Sequence, residues 1–454
     1  MRLQLISFFK GACSADAMSS VASPFLLLFT LVVMSSSTRQ ASFAHALSMM
    51  SGSGGLQDKS VVVGLNAAFQ KRFILPSSTP LTPGSVHRAD AVEEGLGGKG
   101  QDVAVTLRHL WPDAASRPLA LAQFIGTGAG GDAVMSLLDS TLGEGGSWDA
   151  LTVRCKSAMR TCTSIIGSDS TTELVEPSGV VEDDEMGNLL GRIDALASSN
   201  ESGKNLGAAS LCIMGSMPPG CDDDTYGNLC SAVSGDQTLT VIDSVIGLKP
   251  LLASLASKRD SETYKGGAVL KINASELCRL AGVEQSGASE EDGVSLDELK
   301  SAVKKFKTEF VATEALDYFC ITDGRHPAHL VKVKDSSLFR LGVVNLSSDQ
   351  TLYPIGAGDS VAAGTLAAWL HIRDASKSPL ADDCREALAK FRDGIDIENI
   401  DDASSDILAA FAFGVSCGSA SCLQAENSVV DTKDVVQLLN RVPCPSACYI
   451  FMVK

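Results

Sequence analysis

Three glycine-rich runs in this chain combine residue types and spacings that could do chemistry. One of them, Gly356-Ala357-Gly358-Asp359, opens the stretch SVAAGTLAAWL, which is rich in helix formers. The N-terminus of a helix presents unpaired N–H groups and a partial positive charge, so it can hold a phosphate group. A carboxylate there would repel the phosphate unless it works beside it, as the base that takes a proton from an attacking hydroxyl. The alternative role for Asp359 is to stabilise the helix dipole alone.

The other two glycine runs do not fit known phosphate loops. The run Gly126–Gly131 has GxGxxG spacing, but no acidic residue ends the following strand as a dinucleotide fold requires. It therefore predicts a tight strand-to-helix turn. The run GLGGKGQ, residues 95–101, contains Gly-Lys without the GxxxxGK[ST] spacing of a P-loop. Its glycines allow a close backbone approach to a ligand, and a helix is predicted to begin after Gly100.

The elements that must position these runs follow an α/β pattern with a mostly parallel sheet. Short apolar runs predict strands buried on both faces, and the intervals between them are long enough for helical crossovers. These predicted strands are 61–65, 119–125, 210–215, 239–244, 268–272 and 318–322.

Two segments depart from this alternation of strands and helices and predict short exposed strands. Residues 66–96 are rich in Pro and Gly, and residues 160–179 alternate without a helical period. They predict a small second sheet over a cleft. The polar and acidic insertions 183–208 and 372–405 predict surface loops with helical pieces.

The pairing of GGKG (97–100) with GAGD (356–359) resembles the two signatures of the ribokinase-like, or PfkB, carbohydrate kinases. The resemblance covers about 61–433 and is closest to the branch of 1-phosphofructokinase, tagatose-6-phosphate kinase and the minor 6-phosphofructokinase. Further segments agree in order, namely GLNAAFQ (64–70), IMGSMPPG (213–220), KINASE (271–276) and ITDGRHPAHL (321–330).

The resemblance implies a three-layer α/β/α ribokinase-like domain over residues 59–440, with a mostly parallel central sheet and a small β lid made by 66–96 and 160–179. Residues 441–454 would form a tail or strand. The implied reaction is transfer of the γ-phosphoryl group of ATP to a hydroxyl of a sugar phosphate, with ATP and Mg²⁺ as cofactors. A homodimer through the lid is also implied.

The same resemblance assigns roles to individual residues. Asp359 would be the base, and Gly356, Ala357 and Gly358 would form the anion hole. Asn273 and Glu276, three apart on one helical face, would organise the magnesium site, with water between Glu276 and Mg²⁺, and Gly324 would contact the nucleotide. The implied substrate residues are Asn66, Gln70, Arg88, Gly97, Gly98, Lys99, Asp102 and Arg160, with Arg160 meeting a substrate phosphate.

Two positions depart from the family pattern. Gln70 stands where NPAxD has an aspartate, and Asp102 stands where GGKGxN has an asparagine. The carboxylate of Asp102 could take over the acceptor role that Gln70 has lost, or the two changes could mark another substrate or impaired activity. The alternatives are therefore a kinase of an unphosphorylated sugar or nucleoside, and a catalytically silent PfkB-like scaffold of an organelle.

Composition limits the partners of this protein. With 37 basic and 54 acidic residues, the formal net charge is -17, so the field of the whole molecule repels nucleic acid and anionic membrane surfaces. The 13 cysteines are scattered and lack CxxC spacing, which predicts reduced thiols such as Cys212 and Cys320 in apolar runs.

The N-terminal region predicts a leader. After Arg2, the apolar run 24–34 is too short to span a bilayer and fits a signal-type segment. The following ASFAHA (41–46) resembles the cleavage region of two-part plastid leaders. Residues 1–58 are thus expected to be a leader to a plastid or other organelle, or else a disordered extension of a cytoplasmic protein. Stable membrane insertion of the mature chain is not expected.

Overall fold

The computed structural model describes residues 55–76, 80–112, 118–144, 146–167, 171–198, 207–285, 293–346, 352–375 and 379–448. The predicted leader lies outside the described residues up to position 54. Its predicted end at residue 58 falls inside the folded part, because Leu56–Asp58 form a 3-10 turn and Leu56 is fully buried.

The central sheet has ten strands in the described residues, in the order β14-β13-β12-β11-β10-β9-β8-β1-β4-β5. The strands from β11 to β5 in this order pair in parallel, and β12, β13 and β14 extend the sheet with antiparallel pairs. Their bounds are β1 Ser60–Asn66, β4 Leu119–Thr127, β5 Thr152–Ala158, β8 Ser210–Met214, β9 Leu239–Asp243, β10 Gly267–Asn273, β11 Tyr318–Asp323, β12 His326–Lys332, β13 Leu338–Leu341 and β14 Ser446–Cys448.

Apolar side chains cover both faces of the parallel strands. Val62 and Cys212 belong to the core shared with the helices Lys99–Leu110, Ala357–Arg373 and Asp402–Ser421, whereas their buried neighbours Val61 and Ile213 alternate to the opposite face. This arrangement is the predicted three-layer fold. The helices are α1 Lys99–Leu110, α2 Gly128–Leu142, α3 Asp183–Ser198, α4 Thr225–Val233, α5 Leu248–Arg259, α6 Ala274–Leu280, α7 Leu296–Glu309, α8 Ala357–Arg373, α9 Asp382–Asp393, α10 Asp402–Ser421 and α11 Thr432–Leu439.

A second sheet of four strands stands apart from the central one, in the order β3-β2-β6-β7. It is built from β2 Ala68–Ile74, β3 Ala91–Gly97, β6 Thr161–Ile166 and β7 Thr171–Val175. These strands lie in the two segments predicted to form it, 66–96 and 160–179, except that β3 ends one residue beyond the first. The small β lid is therefore present, and we call these four strands the lid.

Helix α10 is the one helix in the described part of the chain that is long and apolar enough to cross a membrane. It lies in the interior, since 83% of its apolar window is buried inside the protein. Ile407, Phe411 and Phe413 are fully buried and belong to the core against α8. Its apolar composition is thus explained by packing.

Candidate active site

Two cavities adjoin at the carboxyl ends of the parallel strands and share Lys99, Glu276 and Asp359 among their lining residues. The smaller, of about 560 Å³, lies between the glycine run of α1 and the lid, and we call it the acceptor cavity. The larger, of about 1060 Å³, is bordered by β10, β11, β12 and the start of α8, and we call it the nucleotide cavity. A group shared by both cavities can act on molecules bound in each.

Helix α8 begins at Gly356, whose φ of 81° is a left-handed conformation that glycine adopts without strain. The amide of Ala357 donates to the carbonyl oxygen of Pro354 (3.2 Å), whereas the amides of Gly358 and Asp359 make no hydrogen bond within the described residues. Of the predicted anion-hole residues, Ala357 therefore uses its amide within the turn, whereas the amide of Gly358 remains available to a ligand, as does that of Asp359.

Asp359 is the first-turn carboxylate of α8 and is only 8% exposed. Its Oδ1 makes no hydrogen bond in the described structure. Burial raises the pKa of the Asp359 carboxyl to about 7, with Asp243 and Glu276 adding to the effect, while the ammonium groups of Lys99 and Lys271 oppose it. A carboxyl with such a pKa can accept and return a proton near neutral pH.

A chain of paired charges leads to Asp359, in which Asp243 and Lys271 are buried and Lys99 is partly exposed, and sequence reasoning missed Asp243 and Lys271. Lys99 Nζ lies 2.8 Å from Oδ1 of Asp243, and Lys271 Nζ lies 2.6 Å from Oδ2 of the same carboxylate. Burial raises the pKa of Asp243, but the two lysines outweigh burial and hold it low. Lys271 Nζ also lies 3.0 Å from the position that a Cβ on Gly358 would occupy, so the absence of a side chain there leaves room for the ammonium.

The glycines of the GGKG run allow a close approach between α1 and β1. A Cβ on Gly100 would lie 2.4 Å from the Cα of Gly64, so neither position tolerates a side chain. Gly98 caps the helix with a φ of 109°. The helix therefore begins at Lys99, two residues before the predicted start after Gly100, and this turn points Lys99 toward Asp243.

The lid presents one face to the acceptor cavity. Alternation along its strands turns Gln70 on β2, Cys162 on β6 and Glu173 on β7 toward the cavity, which they line. Gln70 is buried, and its Nε2 donates to the hydroxyl of Ser164 (2.6 Å), so its amide oxygen remains as an acceptor. Glu173 was not predicted as a site residue.

Arg160 and Asn66 lie where the lid meets the central sheet, and both line the acceptor cavity. The guanidinium of Arg160 donates to the carbonyl oxygens of Asn66 (2.5 Å) and Ala67 (3.1 Å). The side chain of Asn66 donates to Ser216 and accepts from Ser178. Arg160 thus braces the base of the lid while facing the cavity.

Asp102 lies in the first turn of α1 and also lines the acceptor cavity. It is 5% exposed, and its Oδ1 has no partner in the described structure. Burial, the proximity of Asp359 and that of Glu173 raise the pKa of Asp102 well above its ordinary value, while Ser428 and Arg72 oppose the shift. Two of the predicted site carboxyl groups therefore influence each other across the cavity.

Asn273 and Glu276 form a capping box at the start of α6. Asn273 Oδ1 accepts from the amide of Glu276 (2.7 Å), and Glu276 Oε2 accepts from the amide of Asn273 (3.3 Å). Asn273, predicted on the same helical face as Glu276, is the N-cap residue that ends β10, so the two meet through the capping box. The box directs Glu276 into both cavities, and Gly324 lines the nucleotide cavity with a φ of 57°.

Two predicted substrate residues line neither cavity in the described structure. Arg88 is exposed on the segment between β2 and β3, so the fold of a single chain does not bring it to the site. Gly97 lies just behind the cavity wall, where a Cβ would come within 3.0 Å of Gln70 Oε1. Its role in this structure is to give the amide of Gln70 room.

A loop at residues 424–428 joins the lid to the start of α8. Arg72 on β2 is buried, donates to the carbonyl of Ala425 and forms an ion pair with Glu93 (3.1 Å). At the other end of the loop, the hydroxyl of Ser428 donates to the carbonyl of Gly356 (3.1 Å). Through these two contacts, the loop links strand β2 of the lid to the turn of residues 356–359 that opens α8.

The sequence and the fold resemble those of known proteins. The profile of the pfkB family carbohydrate kinases matches residues 169–428, more than half of the chain. The structure of phosphofructokinase-2 from Escherichia coli in complex with potassium aligns with a TM-score of 0.58 at 19% identity, covering 84% of this chain and 98% of that one. A ribokinase from Giardia lamblia aligns with a TM-score of 0.57 at 12% identity, covering 84% and 98%. A protein named as a possible 1-phosphofructokinase of Thermotoga maritima has a TM-score of 0.54 at 16% identity, covering 86% and 100%.

Proposed function

The chain belongs to the pfkB family of carbohydrate kinases, and we propose that it transfers the γ-phosphoryl group of ATP to a hydroxyl group of a sugar or sugar derivative with Asp359 as the base. The observation that carries the proposal is the position of Asp359 at the boundary of the two cavities. A phosphoryl donor in the nucleotide cavity and an acceptor in the other cavity would then meet at this carboxylate.

The proposed step uses groups that are already in position. Asp359 takes the proton of the acceptor hydroxyl as that oxygen bonds to the γ-phosphorus, and the bond from the γ-phosphorus to the β,γ-bridging oxygen breaks with its electrons going to ADP. The free amides of Gly358 and Asp359 and the nearby ammonium groups of Lys99 and Lys271 would stabilise the negative charge that develops on the transferred group.

Members of this family use ATP and usually require magnesium. Within the described residues, no group of three metal-ligating side chains is found. Mg²⁺ does not require such a group, because it usually binds through one or two carboxylates, water and substrate phosphates. The residues present fit this pattern, because Glu276 faces both cavities and only its Oε2 is used by the capping box. When bound, the ion would neutralise charge on the ATP phosphates.

Two acceptor classes remain. The sequence resemblance predicts a sugar phosphate, whose phosphate group would meet the remaining N–H groups of Arg160. An unphosphorylated sugar or nucleoside is the alternative. The acceptor cavity favours it because, even without Asp102, acidic side chains outnumber basic ones in its lining: Glu173, Asp243, Glu276 and Asp359 against Lys99 and Arg160.

ATP turnover measured over a panel of sugars, nucleosides and sugar phosphates tests the proposed function. We expect ADP release that depends on one acceptor class and on Mg²⁺. No acceptor-dependent ADP release anywhere in the panel, from a folded protein that binds ATP, would favour the silent scaffold instead.

The outer face of the lid supports a homodimer. Strand register places Phe73, Ile165, Val92 and Leu174 on the face opposite the acceptor cavity, and Val92 and Leu174 are 53% and 57% exposed. Such an apolar sheet face is a common interaction surface, and phosphofructokinase-2 of E. coli has a tetrameric inhibited form.

The homodimer can be tested by light scattering, which should detect a dimer that Leu174→Lys converts to a monomer. Val311→Lys, at an exposed valine outside the lid, is the control and should leave the dimer intact.

A further inference from the structure

The acceptor cavity crowds carboxyl groups around Asp102. Asp359 on α8 and Glu173 on the lid both act on it. The other charged groups that face this region are Arg72 and Arg160 at the lid, Lys99 on the same helix, and Asp243 and Glu276 farther along the cavity. An ionised carboxylate in such a buried place requires a cation or several hydrogen-bond donors.

The nearby cations already have other partners. Lys99 is paired with Asp243 at 2.8 Å, Arg72 is paired with Glu93 at 3.1 Å, and Arg160 donates to two backbone carbonyls. The hydroxyl of Ser428 favours the charged form of Asp102, but it also donates to the carbonyl of Gly356 (3.1 Å), so its one proton is shared between two acceptors. Oδ1 of Asp102 is buried and has no partner within the described residues.

We infer that Asp102 binds the acceptor as a neutral carboxylic acid, which offers one hydrogen-bond donor and one acceptor to the sugar hydroxyls. The inference rests on the proposed function, since it assigns a form to a residue of the same cavity. The surroundings favour this form because a second ionised carboxylate beside Asp359 would be uncompensated, and two carboxyl groups in one site ionise one after the other.

The neutral form of Asp102 explains how an aspartate can stand where the family pattern has an asparagine. A neutral carboxylic acid has nearly the shape and the hydrogen-bonding capacity of a carboxamide, so Asp102 can do what the asparagine of the GGKGxN pattern would do. It also revises the idea that Asp102 replaces a lost anion at Gln70. Gln70 offers its own amide oxygen to the cavity, and Asp102 supplies a donor.

The test compares wild type with Asp102→Asn in two independent measurements. The first is the free energy of unfolding by urea between about pH 6 and 9, without any ligand. The folded-state pKa of Asp102 is raised, so wild type loses stability relative to Asp102→Asn as the pH rises toward that pKa, and the difference between the two proteins grows. A difference that is constant over this range would show that Asp102 is already ionised and would overturn the inference. Glu94→Gln, at an exposed lid carboxylate that lines neither cavity in the described structure, is the control and should track wild type.

The second measurement is KM for the acceptor that turns over best in the panel. Near pH 7, Asp102→Leu loses both hydrogen bonds and should raise this KM about ten- to hundredfold, whereas Asp102→Asn keeps a donor and an acceptor and should raise it much less. An equally large rise in both variants, with an unchanged KM for ATP, would mean that Asp102 binds as an anion, and no rise in Asp102→Leu would mean that Asp102 does not contact the acceptor. Because unfolding needs no substrate, failure of the proposed kinase activity would leave the first measurement able to support or overturn the inference by itself.

Discussion

Lys99 and Lys271 are held together by one carboxylate, since Asp243 lies 2.8 Å from the first ammonium and 2.6 Å from the second. Asp243 ends β9 and Lys271 lies on the neighbouring strand β10. The pair places two positive charges beside Asp359 without leaving either of them unpaired.

Removal of this shared carboxylate should affect both stability and turnover. Asp243→Asn leaves two ammonium groups close together with Lys271 buried, and loss of one partner of a buried ion pair costs about 3–5 kcal/mol. Urea unfolding measures that loss, and kcat should fall because Lys99 and Lys271 are no longer held in place. The double variant Asp243→Asn with Lys271→Met removes the buried charge, so it should recover most of the stability without recovering kcat. Equal stability of wild type and Asp243→Asn would contradict this account.

Arg160 should distinguish the two acceptor classes. If a phosphate group meets the guanidinium, Arg160→Ala loses a charge-assisted contact of about 1.5–3 kcal/mol, which raises KM for a sugar phosphate roughly ten- to hundredfold. For a neutral sugar, the rise in KM should be smaller and similar in Arg160→Ala and Arg160→Lys. Both variants alter the hydrogen bonds from residue 160 to the carbonyl oxygens of Asn66 and Ala67. Steady-state kinetics with fructose 6-phosphate and fructose give the comparison. An unchanged KM for a sugar phosphate that is the better substrate would rule out the predicted role of Arg160.

The leader can be tested separately from the enzyme. Removal of residues 1–54 should leave kinase activity and thermal stability unchanged, because the described fold begins with Gly55. Extension of the deletion to residue 59 removes Leu56, which is fully buried, and should destabilise the protein by about 2–5 kcal/mol.

The N-terminus of the protein from its source cells tests processing: a start within or just after residues 41–46 supports a cleaved leader, and Met1 contradicts it.

Six of the seven parallel strands in the described residues were predictable because they read as continuous apolar runs. The seventh, β5, was not predicted, because its exposed Arg154 and Lys156 interrupt the apolar pattern. The 16-residue helix α3 was less visible, since its acidic start, Asp183 to Glu185, made the segment resemble a surface loop. Yet Leu189, Ile193 and Leu196 recur at helical spacing and are all buried. Closer attention to that period would have identified the helix.

The GAGD and GGKG turns were predicted to belong to one site through their resemblance to the two family signatures, and both precede helices in the fold. The link between Asp243 and Lys271 was not, since it depends on which strands are neighbours in the sheet. Two signals were available for it: an aspartate at the end of a buried strand, and a lysine inside one. The capping box formed by Asn273 and Glu276 could have been recognised from its spacing.

The pH dependence of turnover follows from Asp359. Its raised pKa, about 7, means that the carboxyl is increasingly protonated below neutral pH and cannot accept the proton of the acceptor hydroxyl. Activity should therefore rise with pH through about 7 and then level off.

Since the folded-state pKa of Asp359 is raised, its ionisation also lowers the stability of the protein as the pH rises toward that value. Asp359→Asn should therefore be more stable than wild type at alkaline pH.

The most direct test of the base is the single-turnover rate of Asp359→Asn with saturating Mg-ATP and the best acceptor. Asparagine keeps the shape of the helix start but cannot take a proton, so the rate should fall by about 10²–10⁴ while ATP binding, measured by calorimetry, stays within a few-fold of wild type. A variant that transfers phosphoryl groups at the wild-type rate would show that Asp359 serves only the helix dipole, and that the base is another group.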